Sequence, residues 1–503
     1  MIDVLLGQSY YLRFDPKLSE AMQAYPPLGT LYAASSLRQH GYTVELFDAM
    51  LSESEQDWAK AVRASEPRYA VLYEDNFNYL SKMCLLRMRQ AACTMIEMAK
   101  AQDCTVILCG ADATDHAEYY LGRGADYVLL GEGEETLLEL LEQLSGRKSV
   151  HLESVLGLAW RESGRVITNP RRLDIAELDR LPFPAWDLVD IQKYRSLWME
   201  HHHYFSMNMV TTRGCPFHCN WCAKPIWGQR YHSRSPENVA AEMSWLKQNY
   251  HPDHIWFADD ILGLKPGWLS QFADAVDRLN AGIPYKCLSR ADLLTRKGEV
   301  DALARSGAQT VWLGAESGSQ KILDAMDKGT RIEQIREARQ LLGRAGIRAC
   351  FFLQFGYPGE TPADIEATLQ LVRDCDPDDI GISVSYPLPG TKFHAAVREQ
   401  LGEQQNWQDS DDLAMLFQGR FSTPYYRKLH SVVHKEFRAR KAWRAIKIRP
   451  SLPKGARLAY YALTLPIARR QLRALAARSD SNLYSLPHLS PEAASTPTPQ
   501  DEA

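Results

Sequence analysis

Three cysteines that lie close together in the sequence could bind an iron–sulfur cluster. Segment 211–222 reads TTRGCPFHCNWC and has the spacing Cys-x3-Cys-x2-Cys. Thiolates are the usual protein ligands of such clusters. Three thiolates hold three irons of a [4Fe–4S] cubane, which leaves the fourth iron free to bind a substrate. The spacing therefore predicts a site-differentiated cluster on Cys215, Cys219 and Cys222.

Two other interpretations of these cysteines stay open at this point. A structural zinc site needs four ligands, and His218 could be the fourth, although it lies between the cysteines without zinc-finger spacing. Three unrelated buried cysteines are the second alternative. The other seven cysteines of the chain are scattered, so the ten do not indicate a disulfide framework, and a reducing compartment fits them better than secretion.

The cysteine loop follows the first strand of an alternating strand and helix pattern. Short apolar runs separated by helical patterns predict six strands at 207–211, 254–258, 285–289, 310–314, 348–355 and 379–385. Six β/α units in this length predict a partial (β/α)6 barrel. Active sites of such barrels gather on the loops that follow the strands, which is where the cysteines lie.

A first alternating pattern precedes the barrel. Its five predicted strands are 3–6, 43–47, 69–73, 105–109 and 127–130. Helical patterns between them predict an α/β fold with an N-terminal doubly wound parallel sheet, whose ligands would lie at the carboxyl ends of the strands. Gly110 and the segment GEGE at 131–134 lie at such ends.

These patterns divide the chain into five predicted parts. The 503 residues are 45% hydrophobic and 24% charged, which is ordinary globular composition. No apolar run approaches the roughly 18 residues of a spanning helix, and the start, MIDVLLG, is typical of a strand and not of a signal peptide. The parts are a sheet domain at 1–145, a connector at 146–200, a barrel at 201–400, a basic helical region at 401–478 and a disordered tail at 479–503.

Basic charge is concentrated near the carboxyl end. Residues 424–480 contain 15 Lys/Arg and 2 Asp/Glu, although the whole chain has a net charge of −4. We expect basic helices in this region, with breaks at Pro450–Pro453 and at Pro466. A peripheral contact of residues 424–478 with an anionic membrane is our first interpretation. Capping of the acidic barrel is the second, and nucleic acid is the third.

The cysteine loop and the barrel strand ends resemble the radical S-adenosylmethionine superfamily. An aromatic residue, Trp221, precedes the last cysteine, as is common in that family. The other matching segments follow the second to fifth strands and read WFADD at 256–260, SRAD at 289–292, LGAESG at 313–318 and FGYPGET at 355–361.

The resemblance implies that the unique iron binds the amino and carboxylate groups of S-adenosylmethionine. The reduced cluster would cleave this molecule to a 5′-deoxyadenosyl radical. Arg290, Glu316, Gly356 and Gly359 are then expected cofactor contacts. An ordinary strand-end salt bridge is the alternative role for Arg290 and Glu316.

The first domain resembles the cobalamin-binding domain that precedes the barrel in one large subfamily. The segments that carry this resemblance are YPPLGTLYAA at 25–34, HGY at 40–42, CGADAT at 109–114 and ADYVLLGEGE at 125–134. It implies cofactor contacts for Pro27, Gly29, Gly110, Gly131 and Gly133. The Asp-x-His-x-x-Gly motif is missing, because neither His40 nor His116 completes it. The domain therefore binds cobalamin without a protein imidazole or is an empty relic, and we favour binding.

Together the two resemblances cover about residues 1–400 and imply a cytoplasmic radical enzyme, a transferase or an oxidoreductase. Its architecture is similar to that of the anaerobic magnesium-protoporphyrin monomethyl ester cyclase and hopanoid-modifying families. The implied reaction is methylation, oxidative rearrangement or cyclisation of a small molecule such as a lipid or tetrapyrrole, with flavodoxin or ferredoxin as electron donor. The alternatives are a tRNA-modifying or methylthio-transferring radical enzyme and a non-catalytic cobalamin or metal sensor.

Overall fold

The computed structural model describes residues 2–149, 151–222, 226–227, 229–403 and 405–480. Most of the predicted disordered tail, residues 481–503, lies outside the described residues. The helices and strands before residue 170 are β1 Val4–Gly7, α1 Pro16–Ala21, α2 Leu28–Gln39, β2 Val44–Leu46, α3 Glu55–Ser65, β3 Tyr69–Tyr73, α4 Tyr79–Met83, α5 Leu86–Lys100, β4 Thr105–Cys109, α6 Ala111–Asp115, α7 Ala117–Gly122, β5 Tyr127–Leu129, α8 Glu134–Leu144, β6 Leu158–Glu162 and β7 Arg165–Thr168.

The remaining elements form the barrel and the carboxyl-terminal region. They are α9 Ile191–His202, β8 Ser206–Met209, β9 Thr212–Gly214, β10 Tyr231–Ser233, α10 Pro236–Asn249, β11 His254–Phe257, α11 Trp268–Arg278, β12 Tyr285–Ser289, α12 Ala291–Leu294, α13 Glu299–Ser306, β13 Ala308–Glu316, α14 Gln320–Ala325, α15 Ile332–Arg344, β14 Arg348–Phe355, α16 Pro362–Cys375, β15 Asp379–Val384, α17 Lys392–Val397, α18 Thr423–Ile448 and α19 Leu452–Asp480.

The first sheet has the strand order β2-β1-β3-β4-β5-β6-β7. Its first five strands are parallel, which confirms the predicted doubly wound sheet. Strand order reverses between β1 and β3, and ligands of such sheets bind at this switch point. The backbone N–H of Ser9, after β1, donates to both carboxylate oxygens of Glu74, after β3, at 3.1 Å.

The predicted connector at 146–200 differs from the structure in one part. Residues 158–168 form a hairpin of β6 and β7 that extends the first sheet in the antiparallel sense. The turn residues Ser163 and Gly164 have φ values of 48° and 80°. Positive φ at both turn residues is typical of the two-residue turns that join antiparallel strands.

The second sheet is fully parallel, with the order β15-β14-β13-β12-β11-β8. Apart from the hairpin β9/β10, each strand pairs with its neighbour in the sequence, so the crossover helices lie on one face, as in a barrel wall. Phe257 and Tyr285 belong to this helix-covered face, because both rings contact Phe272 of α11. The predicted partial six-unit barrel is therefore confirmed.

The carboxyl-terminal helices α18 and α19 pack against each other, and the start of α18 packs on the body through six buried side chains, Tyr425, Tyr426, Leu429, Val432, Val433 and Phe437. The predicted break at 450–453 agrees with the end of α18 and the start of α19. The predicted break at Pro466 is wrong, since α19 continues through it. Pro466 and Ala462, whose carbonyl would lose a partner, are both exposed, so water can satisfy that carbonyl.

A buried ion network joins the first domain to the β9/β10 hairpin. Arg213, in β9, donates from Nη1 to Glu132 Oε1 at 2.8 Å and from Nη2 to Glu134 Oε1 at 2.7 Å. The three side chains are 2–4% exposed. Trp227 Nε1 also donates to Glu132 Oε1, at 2.6 Å. Burial would raise the pKa of Glu134, but the charge of Arg213 outweighs this effect and lowers the pKa below its ordinary value.

We predict that Arg213→Met lowers the unfolding free energy by about 3–5 kcal/mol at neutral pH, because two carboxylates are left buried without a counter-charge. In the native protein, Glu134 stabilises the fold above its unfolded pKa, and this contribution is lost as the pH falls through the lower folded pKa. In the variant, burial instead raises the pKa, so the deficit should shrink as the pH falls from 7 towards about 5. Urea denaturation across this pH range measures both effects.

The matched control is Arg278→Met, which removes an ion pair between side chains that are 57% and 59% exposed. It should change the unfolding free energy by less than about 1 kcal/mol. A deficit in Arg213→Met that is equally small, or that does not depend on pH, would contradict the role of the buried network.

Candidate functional site

The cysteine loop lies between β9 and β10, which form a short antiparallel ladder. Cys215 is buried, and Cys219 and Cys222 are half-buried. Gly214, directly before the loop, has φ 77°, and a Cβ there would come within 2.2 Å of the carbonyl oxygen of Arg230. Only glycine fits this position, so the close approach of the two loop ends depends on it.

Asp259, at the end of the second barrel strand, fixes the two residues that lead into the cysteine loop through β9. Its carboxylate accepts four hydrogen bonds, of 2.7–2.9 Å, from the backbone N–H and hydroxyl groups of Thr211 and Thr212. Burial raises the pKa of Asp259 to about 6. The neighbouring Asp260 forms an ion pair with Lys82 of the first domain at 2.9 Å. Asp259 therefore positions the loop, and Asp260 links the end of the same strand to the first domain.

The middle of the loop is fixed to the fifth-strand segment. Tyr357 donates its hydroxyl to the side-chain oxygen of Asn220 at 2.8 Å. Gly356 has φ 79°, and its N–H donates to Glu360 at 2.7 Å. Gly359 has φ 82°, and its carbonyl accepts from Lys321 at 2.9 Å. Both glycines thus shape the turn that leads into α16.

Arg290 lies beside the cysteine loop, at the end of β12. Its Nη1 is 3.8 Å from Cys219 Sγ, and its guanidinium carbon is 3.5 Å from the ring centre of Phe217. It also donates to the Lys328 carbonyl at 2.8 Å and pairs with Asp292 at 2.9 Å. A cation at this distance stabilises a neighbouring thiolate.

Glu316 forms a buried ion pair with Lys328, with 2.9 Å between Oε1 and Nζ. Glu316 follows a register shift in β13 and has φ 58°, which directs it out of the regular strand. Burial would lower the pKa of Lys328, but Glu316 and Cys219 outweigh it and raise the pKa. Lys328 was not predicted from the sequence, because it lies on a turn and follows no strand.

The donor set fits an iron–sulfur cluster better than a disulfide. All ten cysteines lie among the described residues, and none forms a disulfide bond. Two buried polar atoms near Lys328, Trp221 Nε1 and Thr330 Oγ1, have no hydrogen-bond partner in the described part of the chain. No group of three His, Cys, Asp or Glu side chains in that same part is arranged to hold a single metal ion. Three thiols with adjacent cations and unsatisfied donors match a charged sulfur cluster and its ligand.

The residues predicted to contact cobalamin lie in two groups in the first domain. In the first group, Pro27 precedes α2, and the N–H of Gly29 donates to the carboxylate of Asp75 at 3.0 Å. Asp75 follows β3, and the glycines of the second group follow β4 and β5. Gly131 has φ 83° and follows β5. A Cβ on Gly110 would come within 2.8 Å of Glu74 Cβ.

Gly133 has an evident packing role. A Cβ there would lie 2.4 Å from Cys109 Sγ and 2.7 Å from the Tyr73 ring. This close packing sets the position of Glu132 and Glu134 on either side, and through them the position of Arg213.

Two buried amides, one in each domain, have a polar atom that is available to a ligand. Gln8, after β1, and Asn208, in β8, are 1% and 2% exposed. Gln8 Nε2 and Asn208 Oδ1 have no hydrogen-bond partner among the residues that the structure describes. His116 is held by Asp112 at 3.7 Å, and His40 Nδ1 lies 2.8 Å from the Ser36 carbonyl. The unsatisfied amides, rather than an imidazole, are the groups that fit a ligand such as cobalamin.

Aromatic residues line the sheet face opposite the barrel helices, a feature that sequence reasoning did not single out. Side chains alternate along a strand, so Trp256 and Lys286 point away from the face of Phe257 and Tyr285. Lys286 Nζ lies 5.1 Å from the Trp256 ring centre. On the same face Trp312 stacks on Phe352 at 4.6 Å, and Phe352 is 38% exposed. This surface therefore combines aromatic rings with the cation of Lys286.

Comparison with known families identifies two domains. Residues 18–141 match the B12 binding domain, and residues 209–372 match the radical SAM superfamily. The second match includes all three loop cysteines and the four strand-end segments.

Three known proteins are similar over most of the chain. An uncharacterized methyltransferase of Pyrococcus horikoshii is 29% identical over 389 residues, which cover 76% of this chain and 81% of the relative. The anaerobic magnesium-protoporphyrin IX monomethyl ester cyclase of Rubrivivax gelatinosus is 26% identical, with 73% of this chain and 65% of the relative covered. The structure of the radical S-adenosylmethionine methyltransferase TsrM from Kitasatospora setae, with cobalamin and a [4Fe–4S] cluster bound, aligns with a TM-score of 0.64. That alignment covers 79% of this chain and 74% of TsrM at 19% identity, so it shows a shared fold. The chain therefore contains a B12-binding domain followed by a domain of the radical SAM superfamily, and it is homologous to methyltransferases and to the monomethyl ester cyclase.

Proposed function

We propose that the enzyme uses a 5′-deoxyadenosyl radical together with cobalamin to methylate or oxidatively cyclise a small-molecule substrate. The observation that carries this proposal is the Arg213 network. It joins Glu132 and Glu134 of the B12-binding domain to Arg213, which lies two residues before Cys215. Because the two cofactor domains are joined at this point, a reaction that uses both cofactors is the simplest explanation of the arrangement.

Cys215, Cys219 and Cys222 would hold the cluster in this proposal. When bound, the cluster and S-adenosylmethionine supply the electron transfer that breaks the sulfonium bond and gives the carbon radical. The chain's own part is to fix the loop that carries the three thiols. Arg290 lies beside Cys219, while Asp259 and Tyr357 hold the loop from two strands.

Arg290 and Glu316 would bind S-adenosylmethionine. Arg290 is a rigid fork of donors beside Cys219, which suits the carboxylate of the ligand. Glu316 suits the amino or ribose groups, and its ion pair with Lys328 fixes the position of its carboxylate. Gly356 and Gly359 act in this proposal through the turn they shape.

Pro27, Gly29, Gly110, Gly131 and Gly133 would define the cobalamin side of the site. When bound, cobalamin supplies the methyl group or the cobalt redox step. The chain would contribute amide and backbone contacts from the ends of β1 and β3, and no imidazole ligand. The substrate would lie against Trp256, Trp312 and Phe352, whose flat apolar surface suits a ring system better than a large polar RNA.

The proposal also includes the partners of the reaction. A low-potential one-electron donor, such as flavodoxin or ferredoxin, would reduce the cluster. We place the enzyme in the cytoplasm, with a peripheral membrane contact through residues 424–478. No helix in the described part of the chain has the length and hydropathy needed to cross a bilayer, so any such contact is at the membrane surface.

We predict that anaerobically reconstituted protein contains one [4Fe–4S] cluster and forms 5′-deoxyadenosine from S-adenosylmethionine when reduced. Cys215→Ala, Cys219→Ala or Cys222→Ala should each remove most iron and sulfide and abolish this cleavage, because each thiol is one of only three ligands. Iron and sulfide analysis and product chromatography are the measurements. Mass analysis of cell extracts treated with the wild-type enzyme then identifies a methylated or cyclised product.

Cys375→Ala is the control, since this half-buried cysteine lies outside the loop. It should keep the full iron content and the cleavage activity. A loop variant that kept its full complement of iron and sulfide would contradict the assignment of the cluster.

We predict that the protein binds cobalamin and that His40→Ala/His116→Ala binds it equally well. Neither imidazole belongs to an Asp-x-His-x-x-Gly motif, and His40 lies at the C-terminal end of α2, just before β2 and away from the carboxyl ends of the strands. Absorbance titration measures the affinity. Paramagnetic resonance of the cobalt(II) form should lack nitrogen hyperfine splitting from an axial ligand. Nitrogen splitting that disappears in the double variant, or no binding at micromolar cobalamin, would contradict this prediction.

A further inference from the structure

The far ends of α18 and α19 form a two-helix arm that leaves the body of the protein. We define the arm as residues 438–467. The last buried residue before it is Phe437 and the first after it is Ala468, and none of the 30 residues between them is buried. The helices of the arm contact each other, yet the arm has no core of its own.

Large apolar side chains are concentrated on the arm. Thirteen large hydrophobic residues of the described chain are clearly exposed, and six of them lie in these 30 residues. They are Trp443, Ile448, Leu452, Tyr460, Leu463 and Ile467. The two at the tip, where α18 ends and α19 begins, are the most exposed, with Ile448 at 86% and Leu452 at 91%. Exposed apolar patches of this kind mark interaction surfaces.

The charge of the arm is of one sign. It contains eight Lys/Arg and no Asp/Glu. Near its base, Arg444 pairs with Asp376 of the body and Arg440 donates to the Arg373 carbonyl at 2.8 Å. Towards the tip, Lys447, Arg449, Lys454 and Arg457 form no ion pair with any described acidic side chain. The base therefore contacts an acidic side chain and a carbonyl of the body, whereas the tip presents cations that have no acidic partner in the described part of the chain, next to apolar side chains.

We propose that the arm docks on the surface of an anionic lipid bilayer, with Ile448 and Leu452 entering the interface and the tip cations contacting lipid headgroups. Apolar insertion combined with Lys/Arg attraction is the composition that peripheral amphipathic segments use. This inference rests on the membrane contact included in the proposed function and makes it specific, and it is independent of the proposed reaction. It also restricts the membrane contact proposed for residues 424–478 to the tip of the arm, while the base of the arm packs on the body.

Nucleic acid and self-association fit the arm less well. Single-stranded nucleic acid is bound by cations together with aromatic rings that stack on bases, whereas four of the six exposed apolar residues here are aliphatic. A second arm would bring eight further positive charges against the first without any acidic partner. An anionic bilayer satisfies both the charge and the aliphatic side chains.

The test is co-sedimentation of the full chain with vesicles. The protein should bind mixed phosphatidylglycerol and phosphatidylcholine vesicles at low salt and bind pure phosphatidylcholine vesicles more weakly. Raising the ionic strength should release it, because the screening length falls to about 8 Å at 0.15 M. Ile448→Ser/Leu452→Ser and, separately, Arg449→Glu/Arg457→Glu should each lower partitioning to anionic vesicles at least about tenfold. All four residues are exposed, so folding should not change.

The controls place the same changes on the body. Leu173→Ser replaces a leucine that is 71% exposed, and Arg63→Glu/Arg165→Glu reverses two exposed charges away from the arm. Both should keep wild-type partitioning. Wild-type binding by the tip variants, or equal loss in the controls, would overturn the proposal. So would tighter binding to unfractionated tRNA that displaces the vesicles, or self-association in sedimentation velocity that the tip variants abolish.

Discussion

The placement of the cysteine loop depends on one buried arginine. Arg213 lies two residues before Cys215 and belongs to the barrel by sequence, but its charge is neutralised by Glu132 and Glu134 of the B12-binding domain. Moving a guanidinium and two carboxylates out of water is costly, and only close, well-directed contacts offset that cost. The two domains therefore cannot shift against each other at this point without exposing uncompensated charge. The loop that carries the thiols is held in the register that this network imposes.

The other contacts of the site complete what Arg213 begins. Asp259 fixes the start of the loop, Tyr357 fixes its middle through Asn220, and Arg290 lies beside Cys219. Gly133 allows the segment that carries Glu132 and Glu134 to pack closely, because a side chain at Gly133 would collide with Tyr73 and Cys109. Glycine in the GEGE segment thus serves the packing that positions charge, in addition to any contact with a cofactor.

Local patterns were enough to predict the strands, whereas long-range charge pairing could not be predicted from them. The strands 69–73, 105–109, 285–289 and 348–355 agree with prediction, because each is a short and mainly apolar segment with a clear end. The Arg213 network joins residues about 80 positions apart, and Lys328 lies on a turn, so neither gives a local signal. The hairpin of β6 and β7 was missed because it is short, and only Ser163–Gly164 marks its turn. Site residues named from motifs remain predictions until the cofactors are bound.

The central claim is that the cluster loop and the B12-binding domain form one rigid unit that brings two cofactors together. Pulsed paramagnetic resonance on protein loaded with both cobalt(II) cobalamin and the reduced cluster tests this claim most directly. The account predicts one narrow distribution of the distance between the two paramagnetic centres, which broadens in Arg213→Met. Absence of magnetic coupling between the centres, or a broad distribution already in the wild-type enzyme, would contradict it.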